Sequence, residues 1–139
     1  MAVIKEYYTV KLHDTDAAGV LFFANQFRIV HDVYEQFLIR IGCSFRERFT
    51  VGDFHIPIVH AEADFLQPLQ VGDTIEITLS VSEVGNSSFT LAYQLIDLDG
   101  WVVGNVETVH VTTDPASKSK IDLPDGFREK IQEFIEESD

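Results

Sequence analysis

Between residues 13 and 19 the chain reads H-D-T-D-A-A-G, and Phe22 and Phe23 follow almost at once. Asp14 and Asp16 put two carboxylates into a stretch of turn-forming residues. A carboxylate in a loop ahead of a helix can work on an electrophilic carbonyl in two ways: it attacks the carbon itself, or it takes a proton from a water that attacks. Both routes need donors where negative charge develops on the oxygen. A helix N-terminus supplies them through unpaired backbone N–H groups and the positive end of its dipole. Gly19 permits close backbone approach. His13, just ahead of the motif, is a further candidate for contact with a bound molecule. Taken alone, an Asp in such a place is more often a turn or N-cap residue than a reactant, and Asp14 keeps that reading as the residue that orders the loop.

Other groups compete for chemistry. Glu35 is the rival carboxylate, about three turns into the following helix and so away from the Asp16 loop. His31 and Glu35 stand four residues apart, but two ligands do not make a metal site and no H-E-x-x-H pattern is present, so an exposed ion pair is expected. His60 and His110 fall in strand-like segments and read as structural. Cys43 follows the helix-stopping Gly42 and has no neighbour that would activate a thiol. As the sole cysteine it forms no internal disulfide and no Cys-rich zinc site. No metal and no cofactor are expected.

The elements that must hold these groups follow from periodicity. Residues 3–12 are β-branched and aromatic and predict a strand. Phe27, Val30, Tyr34, Phe37, Leu38 and Ile41 recur at helical spacing, which predicts an amphipathic helix of about five turns from near Phe22 to the stop at Gly42. Residues 44–50 offer a short helical turn. Strands are predicted for Ile56 to Leu66, Thr74 to Val84, Ser88 to Leu98 and Trp101 to Thr112, the second with Ile75, Ile77, Leu79 and Val81 on one face. Asp99-Gly100 is the strongest hairpin cue. Pro124 to Ser138 predicts a terminal helix with Phe127, Ile131, Phe134 and Ile135 on one side. A single long helix has to bury its stripe against the large sheet. The fold class is α+β: an antiparallel sheet wrapped around one central helix, with a C-terminal helix, in one domain spanning residues 1–139.

Composition narrows the functions further. The chain has 139 residues, 10 Lys and Arg against 23 Asp and Glu, and a net charge of −13. That balance excludes a nucleic-acid partner, which needs clustered cations, and an anionic membrane surface. No apolar run approaches the ~20 residues of a membrane span. The expected compartment is the cytoplasm.

The segment HDTDAAGVLFFANQFRIVHDVYE resembles the signature of the 4-hydroxybenzoyl-CoA thioesterase family of hotdog proteins. Asp14, Asp16 and Gly19 match its D-x-D-x-x-G pattern, and Phe22 and Phe23 take the aromatic places. IPIVHAEADFLQPLQVGD resembles the family's second strand and the turn that leaves it, so the resemblance runs from about Tyr8 to Thr113. Within the family the chain looks closest to the branch of 1,4-dihydroxy-2-naphthoyl-CoA hydrolases of phylloquinone biosynthesis. A short-chain or other aromatic acyl-CoA thioesterase, or a non-catalytic module that binds acyl-CoA or acyl carrier protein, is the alternative. The resemblance implies hydrolysis of an acyl-CoA with Asp16 as the catalytic carboxylate, as nucleophile or as general base. It implies the N–H of Phe23 as oxyanion donor and Gly19, Phe22, Phe23 and His13 as the substrate pocket. It also implies a homo-oligomer, at least a dimer and expected as a tetramer, with the pocket between protomers. Where relatives carry basic residues to grip coenzyme A, this chain has the neutral turn Gly85-Asn86-Ser87-Ser88. Ser87, Ser88, Lys118 and Lys120 are the candidates for that grip, with Arg128 beside them.

Overall fold

The apolar stripe of the long helix and the alternation of the strands set the architecture, seen in a computed structural model that describes residues 3–44, 46 and 53–135. Strand β1 spans Ile4–Thr9, helix α1 Phe23–Arg40, β2 Ile58–Phe65, β3 Thr74–Val84, β4 Ser88–Asp97, β5 Val102–Val111 and helix α2 Asp125–Gln132. The strands form one antiparallel sheet in the order β1-β3-β4-β5-β2. This is the hotdog arrangement that the sequence leads one to expect. The consecutive strands β3, β4 and β5 make the meander; β1 and β2 close its two edges.

Helix α1 buries Ile29, Val30, Val33, Tyr34, Phe37 and Leu38 against the face of the sheet that carries Ile77, Leu79, Leu91 and Leu95. Register puts these residues side by side, with Leu79 opposite Tyr93 and Ile77 opposite Leu95. Truncating any one of these Leu or Ile side chains to Ala costs about 2–5 kcal/mol. Gly42, at φ +76°, takes the left-handed conformation that ends α1, and the Cys43 N–H returns to the Leu38 carbonyl at 2.8 Å.

Three expectations need correction. The first strand ends at Thr9, and Leu12–Asp14 turns into a short 3-10 segment, which sends the chain toward the loop. The terminal helix stops at Gln132: a bulge in β3 between Val81 and Glu83 lets the Val81 N–H leave the ladder and bond the Phe134 carbonyl at 2.8 Å. Phe134 stays buried, edge-on to Phe37 at 5.2 Å, without being helical. His31 lies beside the Tyr34 ring at 5.5 Å and makes no ion pair with Glu35 among the described residues. The short turn expected at 44–50 lies for the most part outside the described residues. No helix among those described is long and apolar enough to cross a membrane.

Strand β2 differs from the others. Its positions are exposed apart from a half-buried Ala63, and Ile58, Val59, Phe65 and the following Leu66 show 42–58% of their surface.

Candidate active site

Helix α1 begins without the usual cap. Phe22 occupies the N-cap position, no side chain accepts from the first turn, and that turn holds no acidic residue. The Phe22 N–H bonds the Asp14 carbonyl at 3.0 Å and the Asn25 N–H returns to Phe22 at 2.8 Å. The Phe23 N–H finds no acceptor among the described residues, so it remains an open donor at the positive end of the helix.

The preceding loop is tied at its feet. Thr15 bridges Leu21, the Asp16 N–H bonds Val20 at 3.0 Å and the Leu21 N–H bonds Leu69 at 2.7 Å. Gly19, at φ +80°, makes the turn that a residue with a Cβ would resist. Asp16 is exposed; its Oδ1 accepts the Ala18 N–H at 2.9 Å, and Oδ2 takes no hydrogen bond among the described residues.

Asp14 has the opposite environment. It is fully buried and accepts from the Tyr8 hydroxyl at 2.6 Å, from the Lys11 N–H at 2.8 Å and from Arg28 Nη2. Burial pushes its carboxyl upward, but the Tyr8 and Lys11 hydrogen bonds and the Arg28 and His13 charges outweigh burial and hold it below the usual carboxylate range. His13 Nε2 stands 3.6 Å from the same carboxylate, with the imidazole 75% exposed.

Beside the helix start lies a cleft of about 300 Å³ walled by Val20, Leu21, Phe23, Gln26, Phe65 and Leu66. The Phe22 and Phe23 rings sit 4.9 Å apart, and Phe65 meets Phe23 edge-on at 6.0 Å. Gln26 is buried and donates to the carbonyls of Asp64 and Asn105 at 3.1 and 3.3 Å, which pins the first turn of α1 to the ends of β2 and β5. Gly104 makes room for it; a Cβ there would come within 2.8 Å of the Gln26 amide.

The predicted residues therefore fall into two groups. His13, Asp16, Gly19, Phe22 and Phe23 gather around the start of α1. Ser87, Ser88, Lys118 and Lys120 lie together at the other end of the sheet, where Thr112 bonds Ser87 at 3.1 Å and Thr113 bridges Lys120. Arg128 joins them through Nη2 to the Asn86 carbonyl at 2.8 Å. Gly104 and Val111 mark the two ends on β5, and at ~3.3 Å per residue the groups stand roughly 20 Å apart within one chain. Glu35, twelve residues beyond Phe23, is about 18 Å along the helix from the open N–H. Phe65, Leu66, Gln26, Asn25 and Arg28 are site residues that the sequence did not single out. The Phe65-Leu66 pair, closing a strand and facing a loop rich in aromatics, was the available signal.

A carboxylate with a free oxygen, an uncapped helix start and an aromatic cleft supply the groups that acyl transfer requires, on a hotdog scaffold. Residues 10–131 match the model of the Thioesterase-like superfamily, and the chain belongs to that family. The 1,4-dihydroxy-2-naphthoyl-CoA hydrolase of Nostoc punctiforme is 41% identical over 117 residues, covering 84% of this chain and 78% of its own. The hydrolase of the same name from Thermosynechococcus vestitus is 33% identical over 130 residues, covering 94% of this chain and 89% of its own. The crystal structure of a 1,4-dihydroxy-2-naphthoyl-CoA thioesterase from Synechocystis superimposes with a TM-score of 0.87 at 28% identity, covering 94% of this chain and 96% of that one.

Proposed function

We propose that the protein is a thioester hydrolase that cleaves 1,4-dihydroxy-2-naphthoyl-CoA to 1,4-dihydroxy-2-naphthoate and coenzyme A, with Asp16 as its catalytic carboxylate. One observation carries the assignment of the site: the open Phe23 N–H and the free Asp16 oxygen belong to one loop-and-helix start that borders the aromatic cleft. The relatives' activity supplies the acyl group.

In this reading the thioester carbonyl oxygen accepts the Phe23 N–H, and the helix dipole favours the charge that gathers there. Asp16 attacks the carbon or activates the water that does. The C–S bond breaks, coenzyme A leaves as a thiolate that needs no dedicated acid, and the hydroxyl of water ends on the acid. Rings at Phe22, Phe23 and Phe65 suit a flat bicyclic acyl group.

A homodimer completes the site. Strand β2 ends the sheet, with no strand on its outer edge among the described residues and with exposed apolar side chains, which is the surface a second strand takes. Antiparallel pairing of two β2 strands about a two-fold axis sets the Ser87, Ser88, Lys118 and Lys120 end of one protomer beside the acyl cleft of the other. Those residues then grip the coenzyme A phosphates. Resemblance extends the dimer to a tetramer, and the single, buried Cys43 suits a reducing cytoplasm.

The test is free-thiol release from 1,4-dihydroxy-2-naphthoyl-CoA, 4-hydroxybenzoyl-CoA and short aliphatic acyl-CoAs, by the wild type and by Asp16→Asn. We expect the naphthoyl ester to be preferred and kcat to fall about 10²–10⁴-fold in the variant. Preference for an aliphatic ester would change the substrate. Full activity in Asp16→Asn would remove Asp16 from the mechanism.

A further inference from the structure

Arg28 sits about one and a half turns into α1, with its side chain 45% exposed, where helical periodicity alone makes it one more solvated charge. Its contacts are unusual for such a residue. Nη2 donates to the buried Asp14 carboxylate, and Nε donates to Asn25 Oδ1 at 3.3 Å. Asn25 in turn donates through Nδ2 to the Asp14 carbonyl at 2.8 Å. The three side chains close a ring: Arg28 holds Asp14 by its carboxylate, Asn25 holds Asp14 by its backbone, and Arg28 holds Asn25.

What this ring fixes is the distance across the loop mouth. Asp14 is the last residue before the excursion that carries Asp16, and Phe22 is the residue that rejoins the helix, tied to the Asp14 carbonyl at 3.0 Å. That bond consumes the Phe22 N–H and leaves Phe23 as the first open donor. Between the two feet Asp16, Ala17, Ala18 and Gly19 are all exposed, so no core packing holds the tip. A loop so held inherits its geometry from its feet.

We propose that Arg28 is a positioning residue, which through Asp14 and Asn25 sets where the Asp16 carboxylate stands relative to the Phe23 N–H. The proposal rests on the thioesterase reading. Displacement of a reacting group by about 1 Å costs on the order of 10²-fold in rate, and the Asp14 carboxylate without its cation has every reason to move, because a buried anion needs a partner. Arg28 touches none of the reacting atoms in this scheme, so its effect belongs in the rate of the bound complex and not in affinity.

The test compares Arg28→Met, Arg28→Lys, Asp14→Asn and Asp16→Asn, with kcat and KM measured per folded protein on the ester that the wild type prefers. Arg28→Met keeps the apolar stem and loses the donors; kcat is expected to fall roughly 10- to 100-fold at nearly constant KM. Arg28→Lys restores a cation to Asp14 but cannot reach Asn25 as well, and should fall between. Combined with Asp16→Asn, Arg28→Met should add no further loss, because no carboxylate remains to be placed. Protection of the Phe22 amide against hydrogen exchange should drop in Arg28→Met and Asp14→Asn alike. An unchanged kcat in Arg28→Met, with Asp16→Asn inactive, would overturn the proposal. A rise in KM at constant kcat would also overturn it and make Arg28 a substrate contact. Full thioester hydrolysis in Asp16→Asn would instead remove Asp16 from the mechanism and with it the proposed role of Arg28, while no thiol release by the wild type from any ester would break the thioesterase reading; the Phe22 exchange measurement would still decide whether Arg28 holds the loop.

Discussion

Asp14 and Asp16 stand two residues apart in one loop and end in contrasting surroundings: one carboxylate is enclosed by three donors and the other faces solvent with an oxygen to spare. Turn chemistry and motif position lead one to expect different roles for the two, and the contrast in surroundings supports that expectation. Arg28 was not readable. Helical spacing tells which face of α1 is dry, but it does not reveal that the preceding loop folds a carboxylate against the wet one. His110 makes a similar point. It is fully buried, stacked on Phe89 at 4.8 Å, with Nε2 bonded to Thr108 at 2.8 Å and Nδ1 unpartnered among the described residues. Burial, and then the neighbouring His31, push its pKa down to about 3. Above the unfolded value of about 6.5 both states are neutral; below it the unfolded chain takes a proton that the native state refuses, so stability falls by up to about 1.4 kcal/mol per pH unit. We expect His110→Phe to show a shallower loss of urea-unfolding free energy between pH 6.5 and 4 than the wild type. Parallel profiles would mean that the ring titrates normally.

Among the elements, α1 and the meander were legible because their periods are clean. The last helix was overrun because Phe134 and Ile135 continue its 3.6-residue pattern; the β3 bulge that captures them leaves no trace in residue types. Burial of Phe134 against Phe37 predicts that Phe134→Ala destabilises the fold by about 3–5 kcal/mol, although the residue lies beyond the helix. Urea unfolding at neutral pH measures this, and a loss below about 1 kcal/mol would show that the tail does not seal the core. Strand β2 is expected from the sequence only as a strand over Ile56 to Leu66, with no indication of which positions are covered. Its exposure on both faces is a fact of sheet order, which alternation does not encode.

At the scale of the whole molecule, the acidic chain must bind a polyanion, and its candidate cations gather at the sheet end remote from the acyl cleft. The self-pairing of β2 proposed above would answer this, with side-chain charge selecting the register. With Ala61 of both protomers on the two-fold axis, Glu62 falls opposite the partner's His60 on both sides. One step along, Glu62 meets its own symmetry mate, and directly opposed like charges are unfavourable. In a Cys43→Ala background, Ala61→Cys should therefore form an intersubunit disulfide on mild oxidation, and Glu62→Cys should form far less. The reverse result would move the axis; failure of both, with a monomer by light scattering, would dismiss the β2 dimer.

The strand order also dictates the sequence of events by which the chain becomes structured. β3, β4 and β5 meet their partners across short hairpins, whereas β2 waits for β5 and β1 for β3, across closures of about 40 and 70 residues. Long closures cost chain entropy that local hairpins do not. A growing polypeptide thus exposes α1, with its Phe37 and Leu38, before any surface exists to cover it. The N-terminal third is an element in waiting until β3, on which α1 packs, arrives, and the loop that carries Asp16 is set only when that surface closes.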